Sequence, residues 1–107
     1  MKEYNAYFLQ VHKILGDAIL DIAKMFEENN VKEIHLKQPM ILDFKPRYAG
    51  DKAKRCEIDS VVYGQGAIAL CSRHETYYPY DLADKTDIAF IYHMIYQHFY
   101  HNQHGKV

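Results

Sequence analysis

Histidine gathers near the end of this chain. His93, His98, His101 and His104 all fall in the last fifteen of 107 residues, and the whole sequence has seven. Imidazole binds zinc, copper or nickel, and it titrates near neutral pH. The run therefore admits a metal site, a pH-responsive surface, or a helix end whose polar positions happen to be histidine. At about 100° per residue, His93, Gln97, His101 and His104 share a sector of about 80° on a helix, with His98 to one side. The step from His93 to His101 is about 12 Å along a helix, too far for both to hold one ion. His101 and His104 are close enough to do so. No cysteine or carboxylate stands beside them and HExxH is absent, so no metal or other cofactor is expected.

A second chemistry lies in Cys71-Ser72-Arg73-His74-Glu75, where a thiol and an imidazole are three residues apart. Along a strand, side chains at that separation point to opposite faces, so sequence proximity does not make a Cys–His dyad. Cys56 and Cys71 fall in segments that read as neighbouring strands, which leaves a bridge conceivable. Two cysteines do not amount to a secreted disulfide scaffold, and buried free thiols are expected. Glycine-rich phosphate loops, GxSxG and paired acid/base carboxylates are missing, and the chain is expected not to be an enzyme.

Two binding chemistries remain. Lys45, Arg47, Lys52, Lys54 and Arg55, interrupted by Asp51, surround Tyr48 in a stretch with no periodicity. Cations neutralise phosphates and an interleaved aromatic stacks on a base, so this basic loop is the nucleic-acid candidate. No RNA-binding signature, helix-turn-helix or zinc-finger spacing accompanies it. Aromatic anchors form the other candidate. Tyr77, Tyr78 and Tyr80 flank Pro79, while Tyr96 and Tyr100 sit on the last helix, in a chain with ten tyrosines and no tryptophan. Tyrosine combines rigid area with a hydroxyl and is enriched at protein interfaces.

The elements that must position these residues follow from periodicity. Tyr4, Phe8, Val11, Leu15, Ala18, Ile22 and Met25 alternate steps of four and three, which predicts a helix over residues 3–29. Asn29-Asn30 is a stop that tolerates left-handed backbone. The stripe also resembles a coiled-coil seam, but its apolar face is wider than such a seam, which favours packing on a sheet. Ile34 and Leu36 alternate with Glu33, His35 and Lys37 as a strand, and Met40–Phe44 continues it after a bend or bulge at Pro39. Residues 45–55 read as a long loop, 57–63 and 67–72 as strands joined by Gly64-Gln65-Gly66, and 73–83 as a tyrosine-rich connection. A second helix opens at Asp84 or Thr86 and runs to about His101.

A chain of this length predicts one α+β domain spanning residues 1–107, with a three- or four-stranded antiparallel sheet and two flanking helices in the order α-β-β-β-α. At 49% hydrophobic and 25% charged it is of ordinary globular composition, and its net charge of −1 gives no overall field for nucleic acid. No signal-peptide h-region or membrane-length apolar run is present, so a cytoplasmic protein without a membrane partner is expected. In the hairpin, Val62, Ile68 and Leu70 are assigned to one face and Val61, Tyr63, Ala69 and Cys71 to the other. Apolar residues on both faces predict more surface than two layers can cover. The expectation is a protein-interaction module that self-associates or binds another protein through Tyr77, Tyr78, Tyr80, Tyr96 and Tyr100. The alternative is a nucleic-acid-associated accessory protein using the loop at 45–55.

Overall fold

The structure, a computed structural model, describes the backbone of residues 2–73 and 75–101 and the side chains of residues 15–73 and 75–100. Helix α1 (Lys2–Glu28) is followed by strands β1 (Glu33–Phe44), β2 (Lys54–Gly64), β3 (Ala67–Cys71) and the short β4 (Thr76–Tyr77). Helix α2 (Ile88–Tyr96) continues into a wider π turn over Gln97–His101. The sheet is four-stranded and antiparallel in the order β1-β2-β3-β4. This is the α+β arrangement expected from the sequence, with the fourth strand drawn from the connection at 73–83.

Local chemistry sets the boundaries. α1 stops because Asn30 adopts φ 55°, which lets Val31 N–H reach the Phe26 carbonyl at 3.0 Å and Asn30 N–H the Glu27 carbonyl at 3.2 Å. This is a Schellman closure with asparagine in the left-handed position. The Asn29 side chain adds a bond to the Met25 carbonyl at 2.8 Å. The β2–β3 turn places both Gln65 (φ 52°) and Gly66 (φ 76°) at positive φ, the mirror-image turn whose twist matches that of paired strands. In β1, the pairing advances from His35↔Ser60 to Met40↔Ile58, so the register slips around Pro39, which has no N–H to give to the ladder.

The core lies between the helices and one face of the sheet. Leu15, Ile22, Met25 and Phe26 of α1 and Ile88, Ile91, Ile95 and Phe99 of the C-terminal helical segment meet Ile34, Met40, Leu42, Phe44, Ile58, Val61, Ile68 and Leu70. Phe26 packs edge-on against Phe99 with centroids 5.2 Å apart. The expected stripe residues Tyr4, Phe8 and Val11 lie outside the described side chains.

The register corrects the face assignment made for the hairpin. Val61 pairs with Leu70 and Tyr63 with Ile68, so these four share the helix-covered face. Val62 pairs with Ala69 and Ser60 with Cys71 on the other face. In an antiparallel pair, residues directly opposite point the same way. The second face of the hairpin therefore carries the smaller side chains, while Val61, Ile68 and Leu70 are buried in the core of the one chain. Cys56 pairs with Leu42, and four residues along β2 separate it from Ser60, the partner of Cys71. That offset is about 13 Å, well beyond disulfide reach, and both thiols are free.

At one end the sheet curls until its two edges meet. Phe44 of β1 stacks on Tyr77 of β4 with centroids 4.0 Å apart and planes 12° apart. The chain leaving β4 crosses to the far side of β1, where Lys45 N–H reaches the Asp81 carbonyl at 2.8 Å and Ala83 N–H the Asp43 carbonyl at 2.9 Å. This wrap covers part of an otherwise open strand edge.

Candidate functional site

The curl brings the two binding candidates of the sequence to one place. Lys45, Pro46 and Arg47, just after β1, form one wall of an open cleft of about 500 Å³; Thr76, Tyr77, Tyr78, Tyr80 and Asp81 form the other. Arg47 is fixed there from two sides. Its guanidinium donates to the Thr76 carbonyl at 3.0 Å and lies over the Tyr77 ring, 4.5 Å from the centroid. Such a contact holds a planar cation by its electrostatic attraction to the ring face. Pro79–Asp81 forms a single 3-10 turn, tied by the Asp81 carboxylate accepting the Tyr78 N–H at 2.9 Å. The turn leaves Tyr78 and Tyr80 about half exposed.

Lys85 stands beside this cleft. Its Nζ donates to the carbonyls of Tyr80 at 2.6 Å and Leu82 at 3.2 Å. Burial pushes the ammonium down to about 8, the neighbouring Lys45 ammonium pushes the same way, and Asp81 opposes both. Asp84, one residue earlier, begins the next turn by accepting from both the backbone N–H and hydroxyl of Thr86.

Beneath the cleft runs a polar chain. The Cys56 thiol contacts the Tyr77 hydroxyl, which donates to Glu75, and Lys54 pairs with the same carboxylate at 2.6 Å. Burial raises the Cys56 thiol above its ordinary value and the Glu75 charge adds to the effect. A thiol held protonated is a poor nucleophile. His74, which the sequence sets three residues from Cys71, lies outside the described residues.

The predicted basic loop is divided by this geometry. Lys54 and Arg55 belong to β2, not to a loop. Lys54 faces Glu75, while Arg55 pairs with Asp43 at 3.0 Å, and that bond holds the Asp43 carboxyl below the usual carboxylate range. Lys45 and Arg47 turn to the cleft, and Tyr48 and Lys52 are exposed. The five interface tyrosines divide as well. Tyr77 is 1% exposed and belongs to the core, Tyr78 and Tyr80 line the cleft, and Tyr96 and Tyr100 lie on the C-terminal helical segment.

That segment carries the second candidate surface. Tyr92, Tyr96 and Tyr100, four residues apart, form a ring stack whose first pair is near parallel at 6.1 Å and whose second is tilted by 53° at 4.9 Å. The Tyr100 hydroxyl accepts from Asn29 at 3.2 Å and fixes the lower end of the stack to α1. Tyr96 and Phe90 are nearly half exposed, and Ala89 and His93 are exposed beside them. From Ile88 to His101 the sequence has no Asp, Glu, Lys or Arg. Two of the four C-terminal histidines have described side chains. His93 faces solvent, His98 is half-buried, and the side chain of His101 and all of His104 lie outside the described residues. Among the described residues no group of three potential ligands could hold a metal, and no helix is long and apolar enough to cross a membrane.

Sequence reasoning missed Asp43, Glu75, Asp81 and Lys85. Asp43 is legible only through the register that sets it opposite Arg55. Lys85 was hidden inside the expected helix start.

Compared with protein-family models, curated proteins and solved structures, the chain matches none.

Proposed function

We propose that this protein is a non-enzymatic interaction module that presents the exposed face of α2, with a second copy of the chain as its favoured partner. The observation that carries the reading is a solvent-facing helix without a formal charge, bearing Phe90 and Tyr96 nearly half exposed and flanked by Tyr92 and Tyr100. A surface helix that meets only water normally carries charged residues on its outer face. Aromatic side chains supply rigid contact area and dominate the energetic centre of interfaces. The absence of charge also favours self-pairing. Around a twofold axis each residue meets a copy of the same surface, and a charged stripe would face its own sign. The hairpin adds nothing to this surface, because Val61, Ile68 and Leu70 are buried within the chain.

Sedimentation velocity at tens of micromolar tests this reading. The wild-type chain sediments as a dimer, and Tyr96→Glu as a monomer with unchanged far-ultraviolet circular dichroism. A wild-type chain that stays monomeric throughout that range overturns it.

A further inference from the structure

We propose that the cleft between residues 45–47 and 76–81 is a binding site for a small phosphomonoester, its phosphate held by Lys45, Arg47 and Lys85 and its organic group resting against Tyr78 and Tyr80. Three observations converge on this ligand. The first is charge. Lys45 and Arg47 line the cleft, Lys85 stands next to Lys45, and Asp81 is the single carboxylate of the lining. Two lining cations with a third alongside, against one lining carboxylate, suit a multiply charged anion such as phosphate, which carries a charge of about −1.5 to −2 at neutral pH. A carboxylate ligand would leave the cluster unbalanced.

The second is preorganisation. Arg47 is already oriented by the Thr76 carbonyl and the Tyr77 ring, and Lys85 by the Tyr80 and Leu82 carbonyls. Neither cation must surrender much freedom to meet an anion, and a fixed planar guanidinium suits a pair of phosphate oxygens. Lys45 and Lys85 meanwhile push against each other. An anion between them would relieve that repulsion.

The third is shape. A volume of about 500 Å³ exceeds what phosphate alone fills and lies within the range of small-ligand clefts. The surplus is bounded by two exposed tyrosines, one on either side of Pro79.

Titration calorimetry with inorganic phosphate and phenyl phosphate, at low salt and near neutral pH, tests the site. Both probes bind, and phenyl phosphate binds about tenfold tighter because the ring adds contacts worth about 1.4 kcal/mol. Lys45→Gln and Arg47→Gln each weaken both probes about tenfold or more, with thermal unfolding monitored to show that the fold persists. Binding also weakens as pH rises through about 8, where Lys85, influenced by both the Lys45 ammonium and the Asp81 carboxylate, loses its proton. No heat with either probe at millimolar concentration overturns the proposal, as do folded variants that bind like wild type. A single-stranded oligonucleotide that binds more tightly than phenyl phosphate and loses affinity on Lys52→Gln also overturns it, in favour of the nucleic-acid reading.

Discussion

Two tyrosine clusters in this chain use the same side chain in opposite ways. Under the cleft, Tyr77 is 1% exposed, stacked on Phe44, capped by Arg47, and joined through its hydroxyl to Glu75 and Cys56. On the C-terminal helical segment, Tyr96 is 46% exposed and touches chiefly its own neighbours, Tyr92 and Tyr100. The first cluster closes the sheet by joining strands from opposite edges. The second adds little to closure and remains available to another molecule. Residue type does not decide which role a tyrosine takes. The decision comes from whether the surrounding backbone supplies a partner on every side, and that depends on register and crossover.

Truncation should separate the two clusters most sharply. Tyr77→Ala removes a fully buried ring from between Phe44 and Arg47, and should cost about 3–5 kcal/mol, read as a lower urea midpoint at unchanged slope. A loss below about 1 kcal/mol would show that the curled end of the sheet does not need this ring. Tyr77→Phe keeps the ring and deletes the hydroxyl. The expected loss is about 1 kcal/mol, the usual net worth of a hydrogen bond, moderated because Lys54 still pairs with Glu75. Tyr96→Ala should change stability by no more than about 0.5 kcal/mol, as surface substitutions usually do, yet weaken self-association. Equal destabilisation by Tyr77→Ala and Tyr96→Ala would erase the distinction between the clusters.

The two clusters were also unequally legible. The helices, strands β1 to β3 and the asparagine stop of α1 follow from spacings of 3.6 and 2 and from the tolerance of asparagine for left-handed backbone, whereas β4 lies in a stretch that reads as a connection. Tyr96 was readable as exposed because the helix is too apolar all round to bury every face. Tyr77 was not readable as core, because Tyr77, Tyr78 and Tyr80 look alike until β4 pairs Tyr77 with Leu70 and turns its ring inward. The basic loop failed for a related reason. Charge along a sequence is local, whereas the carboxylates that offset it, Asp43 and Glu75, lie 12 and 21 residues from their partners. The hairpin faces were misassigned because a parity count on each strand cannot fix the register between them. The cleft itself depends on the crossing of residues 81–83 to the outer side of β1, for which no periodicity exists.

The smallest expected effect concerns His98, at the margin between the covered and displayed sides of the C-terminal helical segment. It shares a shallow cavity with Leu36, Lys37, Gln38, Met94 and Gln97. Burial pulls its imidazole below the ordinary value of 6.5, and the Lys37 ammonium adds to the shift. Both causes oppose the charged form, so near pH 6 the unfolded chain binds more protons at this position than the folded one. Stability therefore rises with pH in that range. The contribution is fully present above 6.5 and is lost as pH falls through the lower folded-state value. Proton NMR of the imidazole should give a midpoint below 6.5, and Lys37→Gln should move it only part of the way back, because desolvation is the larger cause. A full return to the ordinary value on Lys37→Gln would mean that His98 is as open to water as the displayed face beside it, and the boundary between the two sides of the helix would have to be redrawn.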